Sequence, residues 1–193
     1  MPSSRNSFSA LVLCGGKSSR MGKNKAFLEV GGVLLIERVL QAAKEVAAEV
    51  LLIAPAEEEW KRFGFPVVTG ERPGLGPLEA LRAGLAAASN PAAYALSCDL
   101  PNLSGEPLRK MAALLGDAHV VVPRTSRGLE PLCALYRKEC AAVFSAALER
   151  GERALHRGLE GLRVISPPLS ELGTTDAFCS NLNTPEDLKG WRG

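Results

Sequence analysis

What most limits the fold of this 193-residue chain is a repeated alternation of short apolar runs with amphipathic stretches. The runs Ser9–Cys14, Val50–Ala54, Pro66–Thr69, Ala93–Cys98 and His119–Pro123 are too short for helices, and turn-forming residues follow each of them. That is the pattern of strands buried on both faces. Between them, "LLIERVLQAAKEVAAE" sets Leu35, Val39, Ala42, Ala43 and Val46 at helical spacing, with Glu37, Arg38, Lys44 and Glu45 on the other side. "GPLEALRAGLAAAS" repeats the pattern from a first-turn Pro77, and "EPLRKMAALLG" ends at Gly116, a usual helix stop. Alternation of this kind predicts an α/β fold: three layers around a doubly wound, mostly parallel sheet. After about Ser126 the rhythm loosens. "LEPLCALYR" supplies a further strand, "KECAAVFSAALERG" a helix and "LRVIS" a late strand, which predicts a mixed sheet toward the end of a single domain, 1–193.

In an open parallel sheet, ligands sit beyond the carboxyl ends of the strands, so the residues after each run carry the functional signal. Behind the first run, "LVLCGGKSSRMGKNKAFLEV" holds Gly15 and Gly16, then Lys17, Arg20, Lys23 and Lys25. Glycines let backbone N–H groups approach an anion, and the cations add charge. The spacing is not that of a P-loop: five residues separate Gly16 from Gly22-Lys23 where that motif needs four, and Asn24 stands in place of its Ser or Thr. Nor is there a G-x-G-x-x-G. The loop reads as a different phosphate cradle rather than as solvated surface charge.

Two more loops point to the same end of the sheet. The fourth run closes in "LSCDLPNL", where Asp99 falls at the strand end before a Pro101 turn. Mg²⁺ takes one or two protein carboxylates and completes its shell with waters and phosphate oxygens, a role Asp99 fits; alone, it reads equally as a turn aspartate. "GERPGLGPLEAL" leads into a helix whose free N-terminal N–H groups favour anions, and alone reads equally as loop-to-helix punctuation.

Composition removes several classes. A net charge of +2 is too small for a general nucleic-acid binder, so no nucleic-acid partner is expected. Two histidines leave little for a zinc site or a histidine triad. No apolar run reaches the length of a membrane span, and Met1–Ser7 is too short and polar for a secretory leader. Five cysteines with no C-x-x-C pair suit a reducing, cytoplasmic compartment.

Taken together, these residues resemble a known family. "LCGGKSSRMGKNKAFLEVGG" is similar to the nucleotidyltransferase signature L-A-G-G-x-x-x-R-M-G-x-x-K, with Gly15, Gly16, Arg20, Met21, Gly22 and Lys25 in place. "GPLEAL", "CDLP" and "NLNTPEDL" resemble the later segments in order, and the whole is similar to the molybdenum cofactor guanylyltransferases, which attach GMP to molybdopterin. The resemblance runs from about Ala10 to Leu188. It implies a Rossmann-like nucleotidyltransferase fold, with nucleotide binding in about 8–125 and acceptor binding in about 126–193. It implies guanine and ribose contacts from the backbone around Leu13, Cys14 and Gly15, with Gly16 in the same turn. Phosphates would lie on Lys25 with Arg20 beside them, Mg²⁺ on Asp99, and Asn181 and Asn183 near the reacting groups. "EPLCALYR" and the "GERAL" stretch around Arg153 match regions of the pterin side.

The chain departs from the family pattern at three positions. Cys14 replaces an alanine, Ala54 stands where some members carry an asparagine, and Gly70 stands where an aspartate is usual, with Glu71 one step later. The implied reaction is transfer of GMP from GTP to the terminal phosphate of molybdopterin, with release of pyrophosphate. The implied partners are GTP, molybdopterin and proteins that deliver it. The same residues also accommodate cytidylyl transfer, another phosphorylated acceptor, or a nucleotide-binding module without catalysis.

Overall fold

The computed structural model of the chain describes residues 8–15, 25–56, 58–72 and 74–181. The first strand, β1 (Phe8–Leu13), is followed by a hairpin of β2 (Glu29–Val30) and β3 (Val33–Leu34), then helix α1 (Leu35–Val46) and β4 (Glu49–Ile53). The hairpin turns on Gly31 and Gly32, whose φ angles of 61° and 78° are those of a two-residue primed turn. Next come β5 (Val67–Val68), α2 (Pro77–Ala87), β6 (Ala92–Ser97), α3 (Gly105–Leu114) and β7 (Val120–Val121). A second hairpin, β8 (Arg124–Thr125) with β9 (Gly128–Leu129), precedes β10 (Cys133–Arg137), α4 (Cys140–Glu149), the short α5 (Leu155–Gly158) and β11 (Val164–Ile165).

Seven strands form one sheet in the order β11-β7-β10-β6-β1-β4-β5. All neighbours run parallel except β10, which is antiparallel to both β6 and β7. The mixed character expected late in the sequence is thus one reversed strand between two others.

Alternation along β1 makes the three layers. Ala10, Val12 and Cys14 join a core with α1 and α3 on one face, while Leu11 and Leu13 join a second core with α2 and α4 on the other. Both sets are almost wholly excluded from solvent, which explains why the strand reads as an unbroken apolar run. Helix α2 lies especially close to the sheet. A Cβ at Gly84 would stand 3.0 Å from the Cδ1 atoms of both Ile53 and Leu11, so a larger residue there would make those side chains give way.

Trp60 differs from the partial burial its polar neighbours suggest, being fully enclosed. Its ring lies 5.0 Å from that of Phe27, and Phe63 stacks on Phe27 at 6.1 Å. Among the described residues, no helix is long and apolar enough to cross a membrane.

Candidate active site

The chain leaves β1 toward β4 and β5, then crosses back to β6 on the other side of β1. At such a reversal the connections diverge and open a crevice beyond the carboxyl ends of the two flanking strands. Here those strands are β1 and β6, whose exits are Cys14-Gly15 and Cys98-Asp99. Register brings the two exits side by side, because Leu13 pairs with Ser97 and the Cys98 N–H donates to the Leu13 carbonyl at 3.2 Å. On the other flank the Cys14 N–H donates to the Ile53 carbonyl at 2.8 Å, and the Ala54 N–H to that of Val68 at 3.0 Å. The strand exits holding Gly70, Ala54, Cys14 and Asp99 therefore form one row, about 14 Å long at roughly 4.8 Å per strand.

These bonds sharpen the backbone assignment. Leu13 is buried and its carbonyl already serves Cys98, whereas the Cys14 carbonyl and the Gly15 N–H have no bonding partner among the described residues. Gly15 is exposed, and a Cβ there would meet only the Pro55 Cδ at 3.8 Å. Nothing among the described atoms demands glycine at that position.

Cys14 fits the alanine-sized position: it is buried, and its thiol donates to the Val12 carbonyl at 3.3 Å. A hydrogen bond with the Cys98 thiol, reinforced by burial, pushes the Cys14 thiol far above the ordinary range. It is a packing group rather than a nucleophile.

Asp99 is half-buried, and its Oδ1 accepts the Ser97 hydroxyl at 2.6 Å. Its second oxygen bonds no described residue. Among the described residues no three His, Cys, Asp or Glu side chains gather as a metal-binding group. One open carboxylate at a strand exit suits a hard cation that takes most of its ligands from water and phosphate, as Mg²⁺ does.

Lys25 opens a short 3-10 turn, Lys25–Phe27, that is anchored from below. Ala26 is fully buried, Phe27 packs on Trp60, and the Leu28 N–H closes on the Lys25 carbonyl at 3.0 Å. The aromatic cluster around Trp60 thus fixes the base on which Lys25 stands.

At Gly70 the structure shows what the sequence did not suggest. A carboxylate does lie beneath this position, but it belongs to Glu79 of α2. A Cβ on Gly70 would sit 3.2 Å from the Glu79 Cγ and Oε1. Glu79 is only 3% exposed and is clamped by Arg82, with Nε to Oε2 at 2.7 Å and an NH2 to Oε1 at 2.9 Å; the Arg72 N–H adds a third bond at 3.4 Å. It holds the loop and does not reach the crevice. Glu71 projects into solvent and touches Arg82 at 3.4 Å. The signal for this clamp was present in the sequence: an acid in a helix first turn, three residues before an arginine.

Hydrogen bonds from Arg82 hold the Glu79 carboxyl below its usual range, against the opposing effect of burial. A lowered folded-state value means the stabilisation is present above the unfolded value near 4.5 and is lost as pH falls below it. Removing one partner of such a pair strands the other. Glu79→Ala is therefore expected to destabilise the fold by about 3 kcal/mol at pH 7. Calorimetry at pH 7 and pH 3 checks this, since the gap between variant and parent should narrow in acid.

A cavity of about 270 Å³ opens beside the Asp99 end of the row. Because β10 runs against β6, its start flanks the exit of β6, and the Ser97 N–H donates to the Leu132 carbonyl at 2.8 Å. Glu130 and its neighbours to Cys133 form one side, and Leu155 and His156 of α5 another. The two stretches matched to the pterin side, "EPLCALYR" and "GERAL", therefore meet in one cavity, although Arg153 itself does not line it. His156 is exposed and also lines this cavity. Asn181 lines it too, brought there by a 3-10 turn, Asp176–Cys179, that Asn102 fastens through its Nδ2 to the Ala177 carbonyl at 3.1 Å.

The structure thus gathers Leu13, Cys14, Gly15, Gly70 and Asp99 along the row of strand exits, with Asn181 in the adjoining cavity. Gly16, Arg20 and Asn183 lie outside the described residues.

Comparison with known proteins gives a consistent result. Residues 10–164 match the family model described as MobA-like NTP transferase domain. The chain is 35% identical over 191 residues to the protein of Nostoc sp. named "Probable molybdenum cofactor guanylyltransferase", covering 95% of this chain and 89% of the relative. A protein of Pelotomaculum thermopropionicum with the same name is 35% identical over 181 residues, covering 92% and 88%. Among solved structures, molybdopterin-guanine dinucleotide biosynthesis protein A from Archaeoglobus fulgidus superposes with a TM-score of 0.79 at 24% identity, covering 94% of this chain and 95% of that one. That likeness establishes the fold.

Proposed function

We infer the function from the premise that this chain belongs to the MobA-like NTP transferase family and, within it, to the molybdenum cofactor guanylyltransferases. It is a nucleotidyltransferase that moves GMP from GTP to the terminal phosphate of molybdopterin. One observation carries this reading: Gly15 after β1 and the open carboxylate of Asp99 stand on adjacent strand exits, with a cavity of a size for a second substrate against Ser97. A nucleotide laid along the row would end at Asp99, next to where an acceptor would enter.

The chemistry is a displacement at phosphorus. A terminal phosphate oxygen of molybdopterin forms a bond to the α-phosphorus of GTP, and the bond to the bridging oxygen breaks. Pyrophosphate leaves, and the guanine dinucleotide remains. Transfers of this kind depend on alignment and charge neutralisation more than on proton movement, so the absence of a histidine pair is no obstacle. The Gly15 N–H, which has no partner among the described residues, offers a donor to the nucleotide. Lys25 offsets negative charge on the phosphates, and Arg20 joins it there. Asp99 would hold Mg²⁺, which when bound neutralises and orients phosphate oxygens. Ser97 keeps one Asp99 oxygen engaged and thereby aims the other.

Base selection is supported by family membership rather than by a carboxylate at position 70. The decisive assay offers the purified chain each common nucleoside triphosphate with Mg²⁺ and molybdopterin and measures pyrophosphate and product. GTP is expected to dominate. Equal use of several bases sinks the guanine assignment, and no release with any of them favours a binding module.

A further inference from the structure

We propose that Glu130 selects the acceptor by accepting hydrogen bonds from the 2-amino and N3–H donors of a pterin ring, an inference that rests on the molybdopterin reading above. The cavity beside Ser97 is lined by Leu100, Leu129, Leu132 and Leu155 together with the polar Ser97, Glu130, His156 and Asn181, and Glu130 is the one carboxylate among the described residues that line it. A mixed lining of this kind suits a heterocycle whose orientation the polar groups then fix.

The carboxylate is held ready for that task. Its backbone is tied on both sides, the Glu130 N–H to the Pro123 carbonyl at 3.1 Å and the Cys133 N–H to the Glu130 carbonyl at 3.0 Å. Its Oε1 accepts the Thr125 hydroxyl at 3.3 Å and faces Arg127 at 3.6 Å. Its Oε2 has no bonding partner among the described residues, although the side chain is only 25% exposed. An oxygen with unused acceptor capacity on a side chain that lines the cavity can take donors from a ligand there. A 2-amino-4-oxopteridine carries two adjacent donors on one edge, N3–H and the amino group, matched to the two oxygens of a carboxylate. The 2,4-dioxo ring of lumazine puts a carbonyl where the amino group was, which a carboxylate repels. Glu130 therefore reads the ring, while Asp99 and the cations act on the phosphates.

The test uses two fluorescent probes, free pterin and free lumazine, titrated separately with the whole chain. Pterin is expected to bind about 10- to 100-fold more tightly than lumazine, the scale of a hydrogen bond to a charged group gained against one lost. Glu130→Gln presents an amide in place of one acceptor oxygen and should erase that preference while leaving GTP affinity unchanged. Equal binding of the two rings by the parent chain overturns the proposal, as does no measurable pterin binding, and neither comparison needs a variant to fold. Unaltered ring preference in Glu130→Gln overturns it as well. The GMP-transfer assay is separate: ring selection without transfer would refute the catalytic reading alone, and transfer without ring selection would refute Glu130 alone.

Discussion

Asp99→Asn is expected to lower turnover by on the order of 10² to 10³ with the fold unchanged, the scale of losing one preorganised charge-stabilising group. The substitution is nearly isosteric, and the described bond of the side chain survives it, because an amide oxygen can accept the Ser97 hydroxyl as the carboxylate does at 2.6 Å. What disappears is the negative charge and one of the two oxygen acceptors at the exit of β6. Thermal unfolding should therefore coincide with that of the parent, while pyrophosphate release falls. The variant should also need more Mg²⁺ to reach its own maximum, since a neutral amide is the weaker ligand for a hard cation. Near-normal activity at ordinary Mg²⁺ would end the assignment of Asp99 as the metal ligand.

Lys25→Ala should cost a similar factor, about 10² to 10³, for a different reason. In the mechanism proposed above, its charge opposes the negative charge gathering on departing pyrophosphate, a contribution that added metal does not replace. The turn beneath it is secured by the burial of Ala26 and the packing of Phe27 on Trp60, anchors that remain when the ammonium group is removed. Added Mg²⁺ should recover part of the Asp99→Asn loss and none of this one. If both variants answered equally to Mg²⁺, the separation of roles between lysine and carboxylate would be wrong.

The sequence carried the architecture well because its signals were local. Apolar runs such as Ser9–Cys14 reported burial on both faces, and the helical spacing of Leu35 to Val46 reported one apolar stripe, each a consequence of backbone period alone. Strand exits were legible for the same reason, which is how Gly15 and Asp99 could be named before they were seen side by side. What sequence did not supply was contact between distant segments. Glu79 beneath Gly70 depends on how α2 packs on the sheet, where Gly84 lies close against Ile53 and Leu11. Glu130 looked like part of a strand-forming stretch; its importance emerges only when the start of β10 is found against the exit of β6. The two short hairpins were missed because two-residue strands are too brief to show alternation, although Gly31-Gly32 was a visible turn signal.

The reversed strand β10 has a consequence for how such a protein can change over time. The six strands that share one direction deliver their exits to one rim of the sheet, and β10 delivers its entrance to the same rim. The connection feeding that entrance, residues 122–132, spans the small β8–β9 hairpin, which pairs with itself and not with the main sheet. Insertions or exchanges there leave the registers of β1, β4 and β6 untouched. If the cavity beside Ser97 holds the acceptor as proposed above, one wall of it comes from a segment that stands apart from the main sheet, and grafting this hairpin between relatives is the economical way to move acceptor preference without rebuilding the rest.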